Sequence, residues 1–425
     1  VLKKSHILFW LLLLSAAISE CVIAATFWGN IDLLTYNFPW AQISAQHWLG
    51  LYRPQYAGTY QVNYPPLVPT LLWPFGQIIN HFGLSITTGS GAHKAAAFLT
   101  IKLLGMLFQW LTAGFIYWKA NSRRLSLVLG TLVLLNPSIW FNASFWGQAD
   151  ALLIFFIVVS FYYLQQQRFG WASFWFALGC LTKLQFMYLA PLFGLYLLLK
   201  ARWPQVLACV SGIIGLNLLG WLPFMLAMRQ PLLPLKVFTS GVTQYTEIIA
   251  NGFNFWAGAL KARIWSKQLR NTDHITSWLT YNHLNTVILV LIIISSCIWF
   301  WCVAKKKVAA LPLAYTGAIY SGLIFMFTMG QHERYQLSML AFVILLLLSQ
   351  TEKNDLVRPL LWYSSVTLMT FLNQAVFYLS VYLKISSLQG FALALRLGGI
   401  INTLLFLLLV GELIWHRPQE VDYAK

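Results

Sequence analysis

Three acidic side chains, Asp32, Asp150 and Glu333, lie where apolar runs meet polar stretches. The cations Lys102, Lys183, Arg334 and Arg396 lie near the same boundaries, with Gln185 and His332 close in sequence. An acid among cations suits a reaction in which a carboxylate takes a proton from a hydroxyl while cations hold an anionic leaving group. Ionisable groups at membrane depth cost about 2.5–3.5 kcal/mol each at a helix centre, so they are kept mainly where a cavity or a partner uses them. The other eight of the eleven acids have plainer surroundings. Glu352, Asp355, Glu420 and Asp422 fall in polar turns or the tail and Asp273 in a long loop, where solvation explains them, while Glu247 in that loop either faces solvent or faces a site. Glu20 and Glu412 fall inside apolar runs, where each calls for a buried partner.

The elements that position these groups are membrane helices. Of 425 residues, 59% are hydrophobic and 9% charged, against about 25% charged in an ordinary soluble domain. A chain this poor in charge cannot cover its surface in water, and apolar runs of roughly 20 residues recur from end to end. A soluble enzyme, a nucleic-acid binder, a disordered chain and a β-barrel are all excluded. The fold class expected is an all-α polytopic membrane protein. The net charge of +17 reflects 28 Lys and Arg against 11 acids. Basic residues in cytoplasmic turns account for it, and no nucleic-acid partner is implied. Five cysteines in apolar segments, without metal-site spacing, read as packing residues.

Twelve spans are predicted, at 7–26, 95–118, 125–143, 149–166, 171–183, 186–200, 204–228, 281–303, 308–329, 335–350, 358–383 and 391–415. Lys3 and Lys4 ahead of an apolar run resemble a signal peptide, but no small-x-small cleavage site stands out clearly, Trp28 and Asp32 follow at once, and an uncleaved first helix is expected. The layout gathers Lys119, Arg123, Arg124, Arg168, Lys200, Arg202, Lys305–Lys307, Lys353, Arg358 and Arg417 on one side, which the positive-inside rule makes cytoplasmic, with both termini. The first outer loop then covers 27–94 and the second 229–280, within one membrane domain spanning 1–425. Long loops escape the charge rule, so Lys261, Arg263, Lys267 and their neighbours do not conflict with it. Residues 65–83 carry Pro65, Pro66, Pro69 and Pro74, and we read them as a helix on or dipping into the outer face.

Five pieces of sequence carry a family resemblance. They are Asn30-Ile31-Asp32 with Tyr36 and Trp40-Ala41; Asn63-Tyr64-Pro65-Pro66-Leu67; Asn136-Pro137 with Asn142 through Trp146-Gly147-Gln148-Ala149-Asp150; Asn254-Phe255-Trp256; and Gln331-His332-Glu333-Arg334-Tyr335. In this order the chain resembles the GT-C glycosyltransferases, in particular bacterial relatives of the second mannosyltransferase of GPI-anchor synthesis. It is similar, more distantly, to the dolichol-linked glucosyltransferases of N-glycan assembly. One departure is Asn63, where the family often has Asp. That leaves the base role resting on Asp32.

The resemblance implies transfer of a hexose, mannose by the family label, from a polyprenyl-phosphate sugar to an acceptor hydroxyl on the extracytoplasmic side, with inversion. Asp32 is the implied general base; a loop or capping acid after the first span is the plainer reading. Asp150 heads a helix, where its charge favours the dipole, or it orients sugar or acceptor together with Gln148. His332 and Arg334 suit the donor phosphate, since Arg offers a planar fork and His a further hydrogen bond. Lys183, sharing a turn with Gln185, is a second phosphate candidate or a snorkelling lysine. Glu333 can simply pair with Arg334. Tyr64, with Tyr36, Trp40 and Tyr60, floors a sugar pocket or anchors the loop at the interface, and Asn254 is a substrate contact by its motif. No cofactor or metal is expected. The partners expected are the lipid-linked sugar donor, a glycan, lipid-linked or cell-wall acceptor, and the bilayer of a bacterial cell membrane. The competing function is a transporter or flippase of a lipid-linked sugar, whose mark would be polar breaks at mid-membrane rather than at one face.

Overall fold

Backbone N–H and C=O groups surrounded by apolar side chains and lipid must find partners within their own segment, and the helix is the way a single run does so. The computed structural model describes residues 2–29, 31–53, 62–243, 246–260, 269–304, 311–350, 356–384 and 389–415. Asn30, Tyr60, Lys261, Arg263, Lys267, Lys305–Lys307, Glu352, Lys353, Asp355, Arg417, Glu420 and Asp422 lie outside the described residues. In chain order the helices are α1 (Leu2–Thr26), α2 (Phe38–His47), α3 (Leu67–His81), α4 (Gly91–Lys119), α5 (Arg123–Leu134), α6 (Pro137–Trp140), α7 (Asp150–Gln165), α8 (Phe169–Cys180) and α9 (Leu184–Met187). There follow α10 (Ala190–Lys200), α11 (Trp203–Met228), α12 (Leu233–Thr243), α13 (Phe255–Ala259), α14 (Tyr281–Ala304), α15 (Leu311–Phe327), α16 (Leu337–Leu348), α17 (Val357–Tyr382) and α18 (Gln389–Trp415). The described residues form no β-strand, only isolated bridges.

Among the described residues each of the twelve predicted spans overlaps a helix, but the helices are not alike. Six helical stretches are long and apolar enough to cross a bilayer: Ser5–Thr26, Gly91–Lys119, Arg123–Trp146, Trp203–Met228, Tyr281–Val303 and Gly390–Ile414. α8 and α16 have 12 residues each, about 18 Å of helix against a hydrocarbon core of about 30 Å. α16 is buried at every position but Ser338, which is why its sequence is apolar all round. α11 and α14 instead expose many apolar side chains, among them Leu219, Leu226, Leu291 and Ile298, as lipid-facing helices do. The proline-rich 65–83 stretch folds as α3, whose 15 residues are also too few for a crossing.

The chain divides into two compact units. The first comprises residues 1–164, 168–190 and 202–244, and the second residues 165–167, 191–201 and 245–425. In the first, α4 packs against α1 and α5, α2 against α3, and α8 against α11. In the second, α15 packs against α14 and α16, α16 against α17, and the short α13 against α18. All five cysteines carry free thiols.

Candidate functional site

In the first unit the chain leaves α1 and reaches Asp32 within six residues of its end. The α1 exit is held by Lys102 of α4, whose Nζ donates to the carbonyls of Phe27 (2.6 Å) and Ala24 (3.2 Å). A cation there also suits the negative end of the helix dipole. Asp32 precedes a π-helical turn, Leu33–Asn37, but its side chain does not cap that turn. Instead its Oδ2 accepts a hydrogen bond from the indole Nε1 of Trp146 at 3.1 Å. Trp146 is fully buried while Asp32 is half-buried, so a rigid donor aims a carboxylate that water can reach.

Local sequence explains why Trp146 lies there. Asn136 caps α6, its Oδ1 accepting from the Ser138 and Ile139 amides, with Pro137 at the first helical position. A π-helical turn, Phe141–Trp146, follows and stops at Gly147, whose φ of +85° is left-handed. A side chain at 147 would be strained by that φ, and its Cβ would collide with Cδ1 of Leu33. Asn37 donates to the Gly147 carbonyl at 2.7 Å, which interlocks the Asp32 segment with this turn. Gln148 is buried, and its backbone N–H donates to the Asn142 carbonyl at 2.9 Å.

Asp150 opens α7 and forms a buried ion pair with Lys183, the two side chains being 4% and 2% exposed. Asn142 Nδ2 donates to the other carboxylate oxygen at 3.1 Å. The Lys183 ammonium also stands 4.9 Å from the centre of the Tyr64 ring, a cation–π contact. Tyr64 in turn meets Trp40 edge-on at 5.1 Å, and Trp40 meets Tyr36 at 5.4 Å. The Leu67 amide donates to the Leu181 carbonyl (2.9 Å), tying the Pro-Pro element to the Lys183 turn. Gln185 is half-buried in α9. Asp32, Gln148, Asp150, Lys183 and Tyr64 thus belong to one folded unit, built from three separated motifs and the Lys183 turn. The Asn142 and Trp146 contacts were not foreseen from sequence, although both residues lie within the motif that ends at Asp150.

In the second unit His332, Glu333 and Arg334 form the turn between α15 and α16, and all three are buried. Arg334 Nη1 meets Glu333 Oε1 at 2.5 Å, and His332 Nδ1 lies 3.8 Å from Glu333 Oε2. Burial alone would raise the Glu333 carboxyl, but the Arg334 guanidinium and His332 outweigh it and hold it below the ordinary carboxylate range. The Arg334 guanidinium also lies 5.7 Å from the centre of the Tyr335 ring. Asn254 is bonded at both ends to backbone. Its Oδ1 caps α13 by accepting from the Ala257 amide (3.1 Å), and its Nδ2 donates to the Phe325 carbonyl (3.3 Å). Of the remaining candidates, Arg396 is exposed, and Glu247 is half-buried, its backbone in an isolated antiparallel β-bridge with Arg270. Glu20 accepts from Trp110 Nε1 (2.7 Å) and Glu412 pairs with Arg358 (2.9 Å), which supplies each with a partner. Among the described residues no three His, Cys, Asp or Glu side chains gather as ligands for a metal ion.

The model of glycosyltransferase family 87 matches residues 63–329, more than half of the chain. The chain belongs to glycosyltransferase family 87. Over 131 residues it is also 30% identical to the "probable dolichyl pyrophosphate Glc1Man9GlcNAc2 alpha-1,3-glucosyltransferase" of Drosophila melanogaster. That stretch is 30% of this chain and 26% of the fly protein, so the chain spans about a quarter of that relative's length. Membership in a glycosyltransferase family agrees with the class implied by the five motifs. The family 87 match takes in Tyr64, Gln148, Asp150, Lys183, Gln185 and Asn254, whereas Asp32, His332 and Arg334 lie outside its limits.

Proposed function

We propose that this family 87 membrane protein is an inverting hexosyltransferase of the GT-C kind, acting on a polyprenyl-phosphate sugar at the extracytoplasmic face. Asp32 takes the proton of an acceptor hydroxyl as its oxygen attacks the anomeric carbon. The bond from that carbon to the phosphate oxygen breaks on the opposite face, and polyprenyl phosphate leaves with the electron pair. The observation that carries the assignment is the Asp32 carboxylate, left uncapped by its own helix turn yet aimed by the buried Trp146 indole.

The aromatic set of Tyr36, Trp40 and Tyr64 beside the Asp150–Lys183 pair suits a sugar, with apolar ring faces and a few directed polar groups. By its chemistry each of Lys183, in the first unit, and His332 and Arg334, in the second, is a candidate for the donor phosphate, with Asp150 orienting Lys183 and Glu333 orienting Arg334. Mannose is the sugar that the motifs favour. The glucosyl transfer named for the fly relative makes glucose its competitor. The acceptor is a glycan, lipid-linked or cell-wall hydroxyl, and no metal is assigned a role.

The test is a donor screen with purified protein in lipid, using polyprenyl-phosphate mannose and polyprenyl-phosphate glucose. Polyprenyl phosphate should be released from one of them only when acceptor is added. Asp32→Asn keeps the shape and an acceptor for Trp146, and should lower kcat by about 10²- to 10⁴-fold, the usual share of a general base. A folded Asp32→Asn protein with full turnover removes Asp32 from the base role. Movement of intact donor across the bilayer without cleavage supports the flippase instead.

A further inference from the structure

Amide side chains inside apolar helices are costly unless both ends find partners. Gln336 at the head of α16, Asn373 in α17 and Asn402 in α18 are buried to 2%, 0% and 2% exposure. Asn373 and Asn402 both bond one short segment, Asn251–Phe253, and Gln336 is joined to it through Asn402. Asn373 Oδ1 accepts from the Phe253 amide at 2.7 Å, and its Nδ2 donates to the Asn251 carbonyl at 2.8 Å. Asn402 Nδ2 donates to the Phe253 carbonyl at 2.7 Å and to Gln336 Oε1 at 3.0 Å, while Gln336 Nε2 returns a bond to Asn402 Oδ1 at 3.3 Å.

That segment is bonded to the neighbouring turn. The Gly252 amide donates to the Gln331 carbonyl at 2.9 Å, and Asn251 bridges to His332. The turn carrying His332, Glu333 and Arg334 is therefore gripped at its start through Gly252 and at its end through Gln336. Both grips lead to the Asn251–Phe253 segment, the first at Gly252 and the second at Phe253. α18 comes close enough for this because a Cβ at Gly399 would lie 2.6 Å from the Asn254 carbonyl oxygen, and Asn402 is one helical turn further on.

We infer that Gln336, Asn373 and Asn402 are positioning residues that hold the His332–Arg334 turn in the geometry that receives the donor phosphate. The inference rests on the phosphate assignment made above. None of the three is assigned to the reacting groups; Asn373 and Asn402 fix backbone, and Gln336 links Asn402 to the end of the turn. Neutral amides suit this role, because each both donates and accepts and so can bind an N–H and a C=O without adding charge beside Arg334.

The test uses the full-length protein in lipid with Gln336→Met, Asn402→Leu and the double variant. Amide hydrogen exchange over 330–337 should accelerate about ten-fold in each single variant, a factor matching one lost hydrogen bond. The double variant should show little more than either single one, since the two side chains form one link. The KM for polyprenyl-phosphate sugar should rise by about five- to ten-fold on the same basis, with kcat within about two-fold. Should Asn402→Leu fail to fold, Asn402→Gln moves the same amide by one methylene and carries the same expectation. Unchanged exchange in folded variants overturns the inference, as does faster exchange with unchanged KM when Arg334→Gln itself raises KM. If Arg334→Gln leaves KM unaltered, the phosphate assignment fails, and faster exchange still establishes the grip on the turn.

Discussion

Replacing Lys183 with Met separates a structural strut from a substrate contact at the Asp150–Lys183 pair. The two side chains are 4% and 2% exposed, so neither charge can turn to water when its partner is removed. Breaking one side of a buried pair leaves an uncompensated charge and costs about 3–5 kcal/mol, whereas replacing both sides with apolar groups of similar volume is often close to neutral. Lys183→Met and Asp150→Leu should therefore each lower stability by about 3–5 kcal/mol, and the double variant should recover most of that loss. Equilibrium unfolding in mixed micelles, followed by tryptophan fluorescence, measures all three against the parent. A double variant whose loss equals the sum of the two singles would refute the coupling. Turnover of the stable double variant then reports on chemistry. A raised donor KM is expected if Lys183 holds the phosphate, and an unchanged KM removes Lys183 from that role.

Trp146→Phe keeps a buried aromatic ring but removes the donor to Asp32. A hydrogen bond to a charged group is worth about 1.5–3 kcal/mol, so kcat should fall at least ten-fold with acceptor KM little changed, and an unaltered kcat would break the link between the two residues. Glu333 gives a pH signature whose sign follows from its lowered pKa. The stabilisation by Arg334 and His332 is complete above the unfolded carboxyl value of about 4.3 and is lost as pH falls through the lower folded value. Thermal midpoints should fall at acid pH more steeply in the parent than in Glu333→Gln, and parallel curves would contradict the pairing.

Much of this architecture was legible in the residues. A 59% hydrophobic chain with 9% charge must be helical and membrane-bound, because only internal hydrogen bonding satisfies a backbone in lipid. The positions of Asp32, Asp150 and Glu333 at the edges of apolar runs were also readable, and each falls at or beside a turn between helices. Sequence could not reveal that Asp150 bonds Lys183, since 33 positions separate them and both roles foreseen for Lys183 were open. Nor could it reveal that Asn254 caps a helix, or that Trp146 reaches across 114 positions to Asp32. The all-round apolarity and shortness of α16 fit its enclosure by protein, but which faces of α11 and α14 turn outward was decided by packing. Composition and spacing fix which segments become helices, because that choice depends on neighbours along the chain. Which carboxylate meets which cation depends on how the helices pack, and buried electrostatics at a few ångströms is decided only there.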